Sequence, residues 1–263
     1  APEAAKRGAI VIDNSSAFRM DPEVPLVVPE VNTEDILKHK GIIANPNCST
    51  IIMSLGLKPL HDISPIKRIV VSTYQAVSGA GKEGIEELQN QVKEYAEGKE
   101  MTANLLPTGS APKHFPIAFN LLPQIDVFLE NDYTKEEMKM VNETHKILHD
   151  DTIQVVPTTV RVPVYRSHSE SVLVETEEPV SVEAFRKACA AFPGLQVKDN
   201  PAEQEYPMSL YTSNQNDCEI GRIRKDLYND KGMNFWIVGD QIRKGAALNA
   251  LQIAEYLVEK EAF

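Results

Sequence analysis

Gly8 to Arg19 reads GAIVIDNSSAFR, and the fold turns on its first half. AIVID, Ala9 to Asp13, is apolar without the alternation of a strand that keeps one face wet. A short unbroken run of this kind suits a strand in a parallel sheet with helices over both faces. Upstream, APEAAKR reads as the end of a helix, and Gly8 suits the turn into the strand. Helix, glycine turn and buried strand predict an α/β unit, with the chain opening in the middle of it.

Moving outward, GIIAN (Gly41 to Asn45) is a second strand, and ANPNCSTII (Ala44 to Ile52) begins a helix. Asn45 is placed as its N-cap and Pro46 as its first residue, with Ile51, Ile52 and Leu55 on one face. KRIVVSTYQAVSG (Lys67 to Gly79) is a further strand, and KEGIEELQNQVKEYAEG (Lys82 to Gly98) an amphipathic helix. Residues 99–133 are proline-rich and irregular, which predicts a long surface excursion or a partner-facing loop. Thr134 to Asp150 is a helix opened by a capping box of Thr134 and Glu137. Strands follow over 153–164 and 171–176, a helix over 182–192, and strands near Ile220 and over Met233 to Asp240. The last helix, Gly245 to Lys260, carries an apolar face of Leu248, Leu251, Ile253, Tyr256 and Leu257. Strands returning without steady βαβ alternation predict an α+β domain inserted beside the α/β one.

The 263 residues suffice for one large domain or two ordinary ones, at 42% hydrophobic and 25% charged. A net charge of −11 argues against a nucleic-acid or anionic-membrane surface while leaving room for a local basic pocket. No apolar run is long enough to span a bilayer. Three widely spaced cysteines suggest neither a disulfide framework nor a zinc site, and a reducing cytoplasm is the expectation.

Cys48 falls in the first turn of its helix, where free N–H groups and the helix dipole favour a thiolate nucleophile. The alternative is a small buried hydrophobe. Cys189 joins Phe185 and Phe192 in a helical stripe and reads as core, and Cys218 opens a strand. His39, His61, His145 and His149 lie at polar helix ends or faces and read as solvated; His114 lies in the irregular stretch. His168 follows Arg161 by seven residues, an odd offset that sets them on opposite faces of a straight strand. Their cooperation needs a bend between Pro163 and Ser167; otherwise they are ordinary polar residues at a strand end. Ser78 to Gly81 stands between strand and helix, as an anion-cradling turn would, but without GxGxxG spacing an ordinary turn serves equally. Glu136 and Lys139 are an i,i+3 pair, ordinarily a solvated ion pair.

NPNCST, STYQAVSGAGKEG, PIAFNLLPQID, RVPVYRSHSESV, GRIRKDL and DQIRKGAALNALQIAE come in this order and cover essentially the whole chain. Together they resemble the bacterial aspartate-β-semialdehyde dehydrogenase family. The resemblance implies Cys48 as nucleophile, His168 as acid/base, and Gln75 as the group that orients the substrate or its thioester. It implies Asn47 lining the substrate and phosphate pocket, Arg161 on the substrate carboxylate and Glu136 on its amino group. Arg19 and Lys139 become the phosphate-binding cations, and Ser78, Gly79 and Gln241 touch the nicotinamide cofactor. It further implies NADP, with NAD open because the ribose-reading residues have no counterpart here, no metal, and a homodimer acting on aspartate semialdehyde and inorganic phosphate. The implied fold is a partial Rossmann-like parallel-sheet domain (1–47 and 240–263) with an inserted α+β catalytic and dimerisation domain (48–239). The family's opening Gly-rich βα turn is absent, so the nucleotide domain is expected to be a remnant. Two alternatives stand beside this reading: another phosphorylating aldehyde dehydrogenase, of the N-acetylglutamyl phosphate reductase or glyceraldehyde phosphate type, and a non-catalytic dimerisation module. The NPNCST context and the Glu136/Lys139 pair favour the aspartyl substrate.

Overall fold

The computed structural model describes residues 1–262. A helical turn, Pro2–Ala5, ends at Gly8, whose φ of +88° admits the turn that a side chain would strain. The chain then enters β1 (Val11–Asp13), which pairs in parallel with β2 (Ile42–Ala44), as the unbroken apolar runs require. Helix α1 (Cys48–His61) follows, then β3 (Ile66–Gln75), α2 (Lys82–Ala96), α3 (Lys135–Leu148), β4 (Gln154–Arg161) and β5 (His168–Thr176). After α4 (Val182–Ala191) come β6 (Leu195–Val197), β7 (Cys218–Lys225) and β8 (Gly232–Gly239). A wide turn over Arg243–Ala247 leads into the last helix, α5 (Leu248–Glu259).

Six strands form one mixed sheet in the order β4-β3-β5-β8-β7-β6. β3 is parallel to β4 and antiparallel to β5, so the unit is α+β as expected. One face, with Ile69, Val71, Val172, Val174, Phe235 and Ile237, forms the main core against α1, α3 and α4. A smaller core joins Val27, Ile36 and Ile43 to Ile253 and Leu257 of α5, so the C-terminal helix closes over β1 and β2.

Several expectations are corrected. Helix α1 starts at Cys48 behind Asn47, not at Pro46 behind Asn45. Asn45 is unavailable as a cap: its Oδ1 accepts from Asn249 Nδ2 (2.7 Å), while its Nδ2 donates to Asn14 Oδ1 (2.7 Å) and the Ala246 carbonyl (3.2 Å). The helix is also buried nearly all round rather than on one face, because helices flank it and the sheet lies beneath. Residues 99–133 are more than a surface excursion. Leu106, Ile117 and Leu122 bury against Val77 and Leu88, while Gln91 Oε1 accepts the Ile117 and Ala118 N–H groups (2.8 and 2.9 Å). Leu251 is exposed, so the buried stripe of α5 is narrower than expected. Of the four histidines expected in solvent only His149 is exposed; His39 and His61 accept from backbone N–H groups and His145 bonds the Ile153 carbonyl.

Helix α1 sits so close to the sheet that a Cβ at Gly56 would come 2.8 Å from Phe235 Cε2 and 3.2 Å from Ile237 Cδ1. Alanine normally gains about 1 kcal/mol over glycine inside a helix, but overpacking a rigid core costs roughly 1–3 kcal/mol. Phe235 is fully buried and packed against the tilted ring of Phe185, so it has little room to turn. Gly56→Ala is therefore expected to lower the urea midpoint at an unchanged slope, and a raised midpoint would refute this account of the contact.

Candidate active site

The ends of three adjacent strands carry the site. Gln75 at the end of β3 is paired with Arg161 at the end of β4, and Tyr74 is paired with Ser169, which sets Gln75 beside His168. All three point to the face that α1 covers. The bend required between Arg161 and His168 is present. Val162 N–H donates to the Gln75 carbonyl (3.0 Å), Val77 N–H to Val164 (2.9 Å), and Ser167 turns at φ 72°. Arg161 and His168 thus flank Gln75 on separate strands, and the odd spacing no longer opposes them.

Cys48 reaches the same place from above, as the first residue of α1. Its backbone is pressed against the turn after β8, where a Cβ on Gly245 would lie 2.9 Å from Cys48 Cβ. Cys48, Gln75, Arg161 and His168 line one cavity of about 360 Å³ with Asn47, Gly79, Glu136 and Lys139. Residues 105–109 and Asp126, from the long connection after α2, complete its wall. Gly79 is glycine by necessity: a Cβ there would stand 2.7 Å from Arg161 Nη1 and 3.4 Å from His168 Nε2.

Glu136 is the polar centre. Its Oε1 accepts from Asn47 Nδ2 (2.8 Å), Gln75 Nε2 (3.1 Å) and Ser49 Oγ (3.2 Å), and its Oε2 from Lys139 Nζ (3.1 Å). Burial alone would raise its pKa; Lys139 and these donors outweigh burial and hold it below the usual carboxylate value. Lys139, bonded also to Asp126 (3.2 Å), is held protonated by both carboxylates against its own burial. The pair read as a solvated surface bridge is therefore a buried, ionised part of the wall.

Burial drives the Cys48 thiol up to about 12, and the negative Glu136 adds to the rise. Arg161, the Ser49 N–H and Arg19 pull the other way without prevailing. The expected helix-start stabilisation of a thiolate is thus real but outweighed in the free protein. Burial, then the neighbouring Arg161, push His168 well below its ordinary value, so it is neutral. Glu170, two residues further along the same face of β5, is buried with neither carboxylate oxygen hydrogen-bonded. Burial, with the negative Glu136 adding to it, pushes its carboxyl well above the carboxylate range.

The remaining expected residues lie around this cavity rather than in it. Arg19 is buried, donating to Glu143 (3.0 Å) and the Asn14 carbonyl (3.1 Å). It lines a second cavity of about 370 Å³, to which Lys139 also belongs. Ser78 and Gln241 bond to each other, and Gln241 Oε1 accepts the Ser167 N–H (2.9 Å). They brace the bend beneath Gly79. Sequence reasoning missed Ser49, Asp126, Glu143, Glu170 and residues 105–109. Glu143 carried a signal, since Glu136, Lys139 and Glu143 share one helix face at i, i+3 and i+7. Among the described residues no cluster of side chains suits a metal ion, and no helix is long and apolar enough to cross a membrane.

With the thiol at about 12, alkylation of free Cys48 by iodoacetamide is expected to rise about tenfold per pH unit from pH 7 to 9 without levelling off, because only the thiolate reacts. Glu136→Gln removes the charge that helps raise it and should speed labelling at pH 8. Fast labelling that is flat above pH 7 would contradict both expectations.

Comparison with known proteins agrees with this geometry. The semialdehyde dehydrogenase dimerisation domain matches residues 57–244, and the semialdehyde dehydrogenase NAD-binding domain matches residues 1–39. An aspartate-semialdehyde dehydrogenase of Aquifex aeolicus is 56% identical over 262 residues, covering 99% of this chain and 75% of its own. That of Bacillus subtilis is 50% identical, covering 98% of this chain and 75% of its own. The crystal structure of aspartate semialdehyde dehydrogenase II from Vibrio cholerae, complexed with ASA, superposes with a TM-score of 0.93 at 46% identity, covering 100% of this chain and 76% of its own. Likeness of this extent, with the thiol, imidazole and guanidinium gathered in one cavity, places the chain in the aspartate-semialdehyde dehydrogenase family.

Proposed function

We propose that this protein catalyses the reversible, NADP-dependent, phosphorylating oxidation of L-aspartate 4-semialdehyde to L-4-aspartyl phosphate through a thioester on Cys48. One observation carries the reading: a nucleophile, a buried cation and a buried anion, Cys48, Arg161 and Glu136, line the same cavity. An amino-acid aldehyde needs such an arrangement. Its carboxylate meets the guanidinium of Arg161, its ammonium meets Glu136, and its aldehyde carbon reaches Cys48. An N-acylated substrate would bring Glu136 a neutral amide instead of a cation, which disfavours the N-acetylglutamyl type.

Cys48 Sγ bonds to the aldehyde carbon, and His168 Nε2, free of any protein partner, serves the oxygen of the adduct. Bound NADP supplies the hydride acceptor. The residues present fit it: Gly79 is exposed at the cavity edge with no Cβ above His168, and Ser78 and Gln241 lie behind it. Asn47 and Gln75 hold Glu136 in place. Lys139, common to both cavities, and Arg19 receive the phosphate that displaces Cys48. In biosynthesis the sequence runs backwards, toward lysine, methionine, threonine and isoleucine.

We assign residues 1–47 and 240–263 to the nucleotide-binding unit and 48–239 to the catalytic and dimerisation unit, since β1, β2 and α5 share a core of their own. The outer face of the large sheet supports a homodimer: Val70, Tyr74, Val160, Leu173 and Trp236 lie there only partly covered. Three free cysteines fit the cytoplasm.

Phosphate-dependent reduction of NADP with aspartate semialdehyde, set against N-acetylglutamate semialdehyde, tests the substrate. Cys48→Ser should lose about a thousandfold or more in rate, because a hydroxyl is a far poorer nucleophile at neutral pH; near-normal activity would sink the proposal. Arg161→Lys should keep the charge but lose the fork, costing roughly 1–3 kcal/mol of transition-state binding. Unchanged kinetics would make Arg161 a bystander.

A further inference from the structure

Seated as proposed, an amino-acid aldehyde occupies two of the charged groups of its cavity, with its carboxylate on Arg161 and its ammonium on Glu136. Phosphate then meets Lys139 and Asp126, a cation and a carboxylate side by side in the same wall. Lys139 Nζ donates to Asp126 Oδ2 (3.2 Å) and Glu136 Oε2 (3.1 Å), which takes two of its three hydrogens. Arg19, in the adjoining cavity, is likewise tied to a carboxylate, Glu143, at 3.0 Å. Both cations expected to receive phosphate are thus paired before it arrives.

Asp126 differs from the other two carboxylates in what it supports. Glu136 and Glu143 rise from α3 and hold Asn47 at the start of α1, at 2.8 and 2.6 Å. Asp126 lies in the long connection before α3, its side chain 32% exposed. Its Oδ1 accepts the adjacent Val127 N–H (2.9 Å), and its Oδ2 goes to Lys139. Glu136 already balances the charge of Lys139, so the second carboxylate is surplus to the fold. What it changes is the field that an entering anion meets. Arg161 and Lys139 stand against Glu136 and Asp126, two cations against two carboxylates, and a zwitterionic substrate leaves that balance unaltered. Without Asp126 the same wall would be net positive.

We infer that Asp126 sets the affinity for phosphate: its carboxylate, seated on Lys139, holds that affinity down and so lets phosphate leave the cavity. This rests on the proposed reaction, which gives phosphate to Lys139 and Arg19. Asp126 touches no reacting atom and acts through the charge of Lys139, so it is a positioning residue. The effect has opposite value in the two directions. Oxidation of the aldehyde needs phosphate to enter, and Asp126 raises the concentration required. Biosynthesis expels phosphate when Cys48 takes the acyl group from aspartyl phosphate, and Asp126 keeps that product from lingering on its cations. A site with Lys139 unopposed would bind phosphate more tightly and be inhibited by it.

Asp126 sits at φ 68°, a left-handed conformation that asparagine and glycine also accept, so Asp126→Asn and Asp126→Gly remove the charge without straining the turn. Asparagine keeps the acceptor for Val127, and glycine adds no new donor. Inorganic phosphate is titrated into each protein by calorimetry at constant ionic strength. L-2-Aminobutyrate, an amino acid without the aldehyde, is present to occupy Arg161 and Glu136. Both variants are expected to bind phosphate about three- to tenfold more tightly than the unsubstituted protein. Lys139→Met should weaken phosphate and erase the gain when combined with Asp126→Asn. In turnover, KM for phosphate should fall while KM for aspartate semialdehyde holds within about twofold, a split that a merely structural role would not produce. Unchanged or weaker phosphate binding in both Asp126 variants, with Lys139→Met still weakening it, would overturn the inference and leave the proposed reaction standing. Tightening in Asp126→Asn alone would make the new amide the binder and overturn it as well. Phosphate affinity indifferent to Lys139→Met would overturn the assignment of phosphate to Lys139, and the inference with it.

Discussion

The position of Cys48 depends on a carboxylate that belongs to another helix. Glu143 Oε2 accepts the backbone N–H of Asn47 at 2.6 Å, and Glu136 binds the Asn47 side chain at 2.8 Å. Helix starts are ordinarily capped by their own residues, yet α1 has no side-chain cap of its own. The N–H and side chain of its capping residue, Asn47, are both answered by α3, so the angle between the two helices sets where the sulfur stands. Glu143 is buried, and burial raises its pKa; Arg19 and the Asn47 N–H act against that. Removing Arg19 would leave a buried carboxylate with one neutral donor, so a residue expected to meet phosphate also keeps the helix start in place.

This coupling explains how buried charges survive in a cavity lined by core. Arg19 faces Glu143, Glu136 faces Lys139, and Lys139 faces Asp126. Each charge is neutralised locally, with hydrogen bonds taking up the remaining lone pairs, the condition under which burial of ions is tolerable. Arg161 is the exception. It is buried, its Nε has no partner, and its only bond is to the Ala76 carbonyl. A guanidinium left under-satisfied in a cavity wall can still take an anion from outside, and the proposed reaction supplies one in the substrate carboxylate.

Much of this was legible where local chemistry decides the outcome. The capping box at Thr134 and Glu137 forms as read, with Thr134 N–H donating to Glu137 Oε2 at 2.7 Å. The bend after Arg161 could be demanded from the seven-residue spacing alone, because strand alternation leaves no other way to unite Arg161 with His168. What failed was local reasoning overridden from a distance. Asn45 was a sound N-cap until Asn249, from the distant last helix, claimed its side-chain oxygen. Residues 99–133 have no periodicity because they are held by scattered polar anchors on α2, Glu87, Gln91 and Glu94, that no pattern reveals. Glu170 could have been noticed: HSESVLVET places it in phase with Val172 and Val174, and a carboxylate on the core face of a strand is an anomaly worth explaining.

The thiol value bears on when the site reacts. With the thiol at about 12, the free protein holds Cys48 protonated. Glu136 contributes to this state, since its negative charge raises the thiol value, while Arg161 only partly offsets it. A substrate ammonium seated on Glu136 would cancel that negative charge, and a cationic nicotinamide near Cys48 would add a positive one. Both changes stabilise the thiolate, and both arrive with the molecules that consume it. Under the proposed reaction Glu136 both receives the amino group and restrains the nucleophile, which keeps the Cys48 thiol protonated until the cavity is filled.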